Sequence, residues 1–128
     1  METTKNAIAW FEIPVIDFER AKIFYEQIFE YEMPEMDMAG LRMGILPHNR
    51  EEGGVGGAIC FGEGYLPSGA NGPKVYLDCG KDLSPVLSRV PGAGGQVVFP
   101  KTEIGPDMGQ FAFFTDSEGN VVGLYSSN

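Results

Sequence analysis

The 128-residue sequence has little cysteine, histidine and basic charge. Its two cysteines, Cys60 and Cys79, are too few for a disulfide framework, and residues 1–6 form no apolar leader, so we expect a reducing, cytoplasmic location. Nine basic residues against eighteen acidic ones give a net charge of −9, which disfavours binding to nucleic acid or to an anionic membrane surface. No apolar run approaches the length of a membrane span.

The residues that are present suit one folded domain over residues 1–128. Hydrophobic residues make up 43% of the chain and are spread throughout it, which excludes wholesale disorder. Eighteen glycines and nine prolines indicate many short strands joined by turns, with few helices.

The first half of the chain predicts a strand, a helix and three further strands. A buried strand over residues 7–16 leads to Asp17, a capping residue, and to a helix with apolar side chains at helical spacing. These side chains are Phe18, Ala21, Phe24, Tyr25, Ile28 and Phe29. Segments 31–38, 41–46 and 55–61 predict the strands that complete a module over about residues 7–62.

The second half repeats this order over about residues 74–126, after a Gly- and Pro-rich linker at about 63–73. Strands are predicted at 74–79, 96–100, 110–115 and 121–126. The helix after the first of them carries Leu83, Val86, Leu87 and Val90 at helical spacing. Asp82 or Ser84 caps this helix, and Pro91 ends it because proline lacks the N–H that a helical hydrogen bond needs.

Each helix can cover only one face of the strands in its module. The sequence therefore predicts an α+β fold of two paired βαβββ modules, which form a curved sheet with the helices outside and a central trough inside. The uncovered face needs a partner or a ligand.

Two segments resemble one protein family. The run Ile-Pro-Val-Ile-Asp-Phe-Glu-Arg-Ala-Lys-Ile-Phe-Tyr-Glu-Gln-Ile-Phe, from Ile13 to Phe29, resembles the opening of glyoxalase, bleomycin-resistance and extradiol-dioxygenase proteins. The segment Asp116-Ser117-Glu118-Gly119-Asn120-Val121 is similar to their closing Asp-Pro-Asp-Gly turn. With the repeated strand order, these segments make the chain similar to the vicinal oxygen chelate superfamily. The resemblance implies the glyoxalase/bleomycin resistance fold and a homodimer, with the trough within one chain or between two.

The resemblance also implies four positions for metal ligands, which are usually His, Gln or Glu. Matched residue by residue, these positions are Trp10, one near Cys60, one near Val75 and Gly123. Three of these residues cannot ligate a metal through their side chains, and a shift of one residue in register yields no set of three ligands. We therefore expect a degenerate metal site and no cofactor, with a divalent metal only if the ligands are displaced.

Other candidate groups are better explained by structure than by chemistry. His48, the only histidine, lies in a turn without an orienting partner. No basic residue directly adjoins either cysteine in sequence, so nothing predicts a reactive thiolate. The glycine-rich run at 53–57 precedes a strand, whereas a phosphate cradle opens a helix.

Strand alternation singles out Glu12. If Trp10 faces the trough, Glu12 does too, and Phe11 faces the helices. The same argument turns Tyr125 inward, and the predicted trough residues are Trp10, Glu12, Cys60 and Tyr125. Aromatic rings offer area for stacking, and a carboxylate offers a partner for a cation or a general base. Alternatively, Glu12 is a partly hydrated carboxylate that is bonded to a neighbour.

Three functions are compatible with these observations. The first is a protein that binds a small apolar or cationic organic molecule in the trough without a metal. The second is a metal-dependent glyoxalase-like lyase, isomerase or dioxygenase with displaced ligands, since those chemistries use the ion as a Lewis acid. The third is a non-catalytic domain that binds a protein partner.

Overall fold

The computed structural model describes residues 1–128 and shows the same order of elements twice. The first module contains strand β1 (Phe11–Pro14), helix α1 (Phe18–Phe29) and strands β2 (Glu35–Met38), β3 (Leu41–Ile45) and β4 (Gly57–Phe61). The second contains β5 (Tyr76–Asp78), helix α2 (Ser84–Ala93), β6 (Gln96–Glu103), β7 (Gln110–Thr115) and β8 (Val121–Ser126). Neither helix has the length and apolar content needed to cross a membrane.

Each module forms its own four-stranded sheet. The strand orders are β1-β4-β3-β2 and β5-β8-β7-β6, so the two sheets have the same topology. In both sheets the first pair is parallel and the other pairs are antiparallel. The prediction of paired βαβββ modules is therefore confirmed. The sheets stay open and do not curl around a closed trough.

Several predicted boundaries are wrong by a few residues. Strand β1 occupies only four residues of the predicted segment 7–16, and β6 continues through Pro100 as an irregular strand. Helix α2 does not end at Pro91, which lies in its last turn. The helix ends instead at Ala93 and is capped by Gly94, whose φ of 108° is in the left-handed region that glycine tolerates. Asp82 accepts a hydrogen bond from the Ser84 N–H, but the helix cap falls on Leu83.

One apolar cluster of 18 buried residues draws on both modules. Helix α1 contributes the apolar stripe that the sequence predicts, with Phe24 edge-on to Tyr25 at a centroid distance of 5.0 Å. Phe24 also contacts Phe114 of β7, at 5.8 Å. Each helix thus covers the outer face of the strands, and burial of these rings contributes most of the driving force for the packing.

The turn between β7 and β8 joins the second module to the start of α1. The Glu118 side chain is fully buried, and its Oε1 accepts hydrogen bonds from the Ile16 and Asp17 N–H groups at 2.9 and 2.7 Å. Arg20 donates to both carboxylate oxygens, at 2.7 and 3.1 Å. Burial alone would raise the pKa of Glu118, but the hydrogen bonds from Arg20, Asp17 and Ser117 lower it below its usual value.

A second buried carboxylate holds the same turn in shape. Asp116 accepts hydrogen bonds from the Glu118 and Asn120 N–H groups and from the Tyr25 hydroxyl, the last at 2.7 Å. The Asn120 side chain donates to the Pro14 carbonyl at 2.8 Å. Burial raises the pKa of Asp116 despite these hydrogen bonds, and burial, followed by the charge of Asp116, raises the pKa of Tyr25.

We expect Glu118→Gln to lower the free energy of unfolding by about 2 kcal/mol at neutral pH, because a charged acceptor of several hydrogen bonds is lost. The folded-state pKa of Glu118 is lowered, so its contribution is complete above the unfolded-state pKa and is lost as the pH falls through the folded-state value. The difference between wild type and variant should therefore shrink below about pH 4.5. Urea unfolding of both proteins at a series of acidic pH values measures this difference in unfolding free energy.

Glu103→Gln is the matched control, since Glu103 is exposed and forms no ion pair. This control should stay within about 0.5 kcal/mol of wild type. A difference between wild type and Glu118→Gln that is constant from neutral to acid pH would contradict the role assigned to the Glu118 charge.

Candidate functional site

The inner faces of the two sheets, which point away from the helices, differ in character. In the first sheet the strand registers place mostly apolar residues there: Met36, Met38, Leu41, Met43, Ile45, Ala58 and Cys60. Arg42 and Glu35 lie on the opposite face, where Arg42 covers the Phe18 ring at 4.1 Å and pairs with Glu35. Glu12 is the one carboxylate on this inner face, since it is paired with Ala58 in the parallel β1–β4 register.

Glu12 is held by two neutral donors. The Tyr65 hydroxyl donates to its Oε1 at 2.6 Å, and the Trp10 indole Nε1 donates to its Oε2 at 3.3 Å. The side chain is half-buried. Glu12 lies on the face of β1 opposite to the core residue Ile13, and Trp10, directly before β1, is beside it through this hydrogen bond.

Cys60 lies beneath this group and is fully buried. Tyr65, from the loop between β4 and β5, packs over the small cluster of Met43, Ala58 and Cys60. Burial, and then the negative charge of Glu12, raises the pKa of the Cys60 thiol to about 12. Burial has the same effect on Cys79. Both thiols therefore stay protonated and are poor nucleophiles at neutral pH.

The inner face of the second sheet is aromatic. We call this surface the aromatic face; its rings are Tyr76, Phe99, Phe111, Phe113 and Tyr125. Phe99 stacks on Phe111 at 5.6 Å, Phe111 meets Phe113 edge-on at 5.8 Å, and Tyr76 lies 5.4 Å from Phe113. The exposed fraction is 50% for Tyr76 and 44% for Phe99, so these rings are available to a ligand.

The predicted fourth metal position, Gly123, is covered by an aromatic ring. A Cβ at this position would lie 2.6 Å from the Tyr76 ring, so only glycine fits beneath it. Val75, the predicted third position, packs against the core. No group of three or more His, Cys, Asp or Glu side chains lies close enough together to hold a metal ion. The donor set therefore does not fit the divalent metal that the resemblance implies, and the metal-free state itself remains a prediction.

The four predicted trough residues fall into two groups. Trp10, Glu12 and Cys60 lie together on the first sheet, and no hydrogen bond links Tyr125 to them. Tyr125 instead donates to the Met108 carbonyl at 3.2 Å. Sequence reasoning missed Tyr65, which lies in the segment interpreted as a linker and carries no periodic signal. It also missed the rings on β7, although the alternation of Phe111 and Phe113 marks one face of that strand.

A cleft of about 730 Å³ lies at the junction of the modules; Tyr76 of the aromatic face lines it, and none of the four predicted trough residues does. It runs beside the outer edge of β5, and its apolar lining includes Phe11, Phe29, Leu46 and Val86. His48 also lines it, with the imidazole packed over Gly56 and Nδ1 at 3.1 Å from the Leu46 carbonyl oxygen. We call this space the junction cleft.

No family model matches the chain. The provisionally named glyoxylase CFP32 of Mycobacterium tuberculosis, and a protein of the same name in Mycobacterium bovis, are each 29% identical to it over 121 residues. The match covers 93% of this chain and 45% of theirs, so the chain spans about half the length of the curated relatives it matches.

Solved structures give the same fold. Hypothetical protein SA1046 from S. aureus has a TM-score of 0.68 at 18% identity, covering 96% of this chain and 95% of its own. The fosfomycin resistance protein FosX from Listeria monocytogenes has a TM-score of 0.66 at 14% identity, covering 98% and 96%. A glyoxalase I mutant from Zea mays has a TM-score of 0.65 at 18% identity, covering 93% and 45%. The chain has the glyoxalase/bleomycin resistance fold, so the fold that the resemblance implies is confirmed.

In a Cys79→Ala background, which leaves Cys60 as the only thiol, we expect slow reaction with an aromatic disulfide reagent at mildly alkaline pH. Tyr65→Ala should raise the rate at least about tenfold, because the ring that covers Cys60 is removed. Tyr65→Phe keeps the ring and should react at close to the starting rate. Equal rates in Tyr65→Ala and its parent would show that Tyr65 does not protect the thiol.

Proposed function

We propose that the protein binds a small aromatic or cationic organic molecule on the inner faces of its sheets, without a metal ion. The observation that carries the proposal is the aromatic face, with two of its rings about half exposed. Trp10, Met36 and Met38 are also exposed large apolar residues on the first sheet. Clustered exposed apolar side chains such as the rings of the aromatic face mark binding sites in folded proteins.

The geometry of the aromatic face suits stacking. Its ring centroids are 5.4–5.8 Å apart, within the range for favourable aromatic pairs. A planar ligand can therefore lie against rings that are already fixed by their neighbours, which limits the loss of side-chain entropy on binding. Gly123 lets Tyr76 lie close to the sheet and so helps to fix this surface.

The metal-dependent lyase, isomerase or dioxygenase is the alternative that the names of the relatives suggest. Glyoxalase-type chemistry at this fold would need a set of ligands around an ion with an open position. Glu12 and Cys60 are the candidate ligands that lie together, and Glu12 is already engaged by Tyr65 and Trp10. The metal-free reading therefore has better support from the residues present.

We also propose a homodimer and a cytoplasmic location. The homodimer rests on the resemblance and on the open inner faces, which a second copy could enclose; light scattering of the purified protein tests it. A cytoplasmic location rests on the low cysteine content. If the protein is instead a non-catalytic domain that binds a protein partner, it would use the same faces. Small aromatic molecules should then leave its melting temperature unchanged.

We expect the neutral probe 3-ethylindole to bind wild type, and Phe113→Ala to weaken binding about tenfold, since a stacking partner is worth about 1 kcal/mol or more. Ile23→Ala is the control, because Ile23 is an exposed apolar residue on helix α1. Calorimetric titration measures the affinities. Equal weakening by both variants would show that binding is not located on the aromatic face.

We expect purified protein to contain well below one equivalent of zinc, nickel, iron or manganese per chain. The reason is the lack of a donor set on β1, β4, β5 and β8. Elemental analysis after expression in metal-supplemented medium measures this content. A content near one equivalent, with a melting temperature that falls on chelation, would support the metal-dependent alternative.

A further inference from the structure

Glu12 is a carboxylate without a cationic partner. The ion pairs in the chain join Arg20, Lys22, Arg42, Arg89 and Lys101 to other carboxylates. Glu12 receives only the hydroxyl of Tyr65 and the indole N–H of Trp10. Two neutral donors orient the charge but do not neutralise it.

The surroundings of Glu12 strengthen its attraction for a cation. On this inner face, Glu12 adjoins the buried Ala58 and Cys60 of β4, and Ile45 and Met43 of β3 lie one strand further across the sheet. An apolar surface lowers the local dielectric constant, which makes an ion pair stronger than at a hydrated site. The Trp10 indole ring beside Glu12 also attracts cations.

Tyr65 occupies the place where a ligand would bind this carboxylate. Its hydroxyl lies 2.6 Å from Oε1, and an ammonium group would bind the same oxygen at a slightly longer distance of about 2.7–2.9 Å. Tyr65 comes from the loop between β4 and β5, and its N–H bonds to the Gly62 carbonyl in a local turn. Movement of this one side chain would expose Oε1 and leave Trp10 in place.

We propose that Glu12 anchors the ammonium group of a cationic aromatic ligand, which displaces the Tyr65 hydroxyl from Oε1. The inference rests on the proposed function and adds the chemical class of the ligand. Trp10 keeps its hydrogen bond to Oε2 and offers its ring to the apolar part of the ligand. The exposed fraction of Trp10, 39%, leaves room for this contact.

Three probes with the same ring and different charge test the proposal: tryptamine, 3-ethylindole and indole-3-propionate. Wild type should bind tryptamine at least about tenfold more tightly than 3-ethylindole, because charge-assisted hydrogen bonds are the stronger ones. Indole-3-propionate should bind most weakly, because its carboxylate is repelled by that of Glu12. Glu12→Gln should lower the affinity for tryptamine to that for 3-ethylindole, which abolishes this preference. Tyr65→Phe should strengthen tryptamine binding several-fold, because no hydroxyl competes for Oε1.

Asp37→Asn is the matched control for the overall negative charge of −9. Asp37 is exposed on the opposite face of the same sheet, where it is paired with Arg42 in the β2–β3 register. This variant should keep the preference for tryptamine. Because the chain has one tryptophan, the Trp10 indole N–H gives a single NMR signal, which tryptamine should shift in wild type and not in Glu12→Gln.

The outcomes separate the two proposals. Binding of 3-ethylindole without a preference for tryptamine, or a preference that survives in folded Glu12→Gln, overturns the anchor and leaves the proposed function standing. A preference lost in Asp37→Asn also overturns the anchor. Unchanged tryptamine affinity in Tyr65→Phe overturns the proposal that the ligand displaces the Tyr65 hydroxyl from Glu12. If Glu12→Gln fails to fold, the tryptamine affinity of Tyr65→Phe is the test of the anchor. Failure of 3-ethylindole to bind the inner faces contradicts the proposed function itself.

Discussion

The buried Glu118 carboxylate is the contact on which the arrangement of the two modules depends. Glu118 belongs to the turn between β7 and β8. Its carboxylate accepts hydrogen bonds from the N–H groups at the start of α1 and forms an ion pair with Arg20. A helix N-terminus favours negative charge, so this carboxylate stabilises α1 and also connects the two modules. Asp116 then fixes the turn itself through Tyr25 and Asn120.

The contact of Glu118 with α1 determines which faces of the sheets the helices leave uncovered. Since the turn docks against α1, both helices lie on the same apolar cluster, and α1 touches α2 through bonds such as Arg89 to the Ile28 carbonyl. The helices cover the outer faces only. The inner faces, with Glu12 on one sheet and the aromatic face on the other, stay open within one chain.

Much of the fold follows from local patterns in the sequence. Helical spacing from Phe18 onward, the cap at Asp17 and the repeated strand order each depend on neighbours along the chain, and each is found in the structure. The end of α2 was mispredicted because proline in the last turn loses one hydrogen bond without ending the helix there. The role of Glu118 depends on a contact across about a hundred residues, which no local pattern contains.

The site was less predictable than the fold for the same reason. Alternation along one strand pairs Trp10 with Glu12, but it cannot bring a loop residue such as Tyr65 to them. Alternation also does not determine whether the two sheets curl toward each other. For this reason it did not predict that Tyr125, on the second sheet, lies apart from Trp10, Glu12 and Cys60. The Tyr76 ring packs over Gly123, so aromatic packing occupies the position at which the resemblance implies a metal ligand.

The most direct test of the account is the location of a bound aromatic molecule. Intermolecular NMR contacts between 3-ethylindole and isotope-labelled protein should connect the probe to Phe111 and Phe113 on the aromatic face. Contacts to Phe29 and Val86, which line the junction cleft, would contradict the account, because they would place the binding site between the modules and not on the inner faces of the sheets.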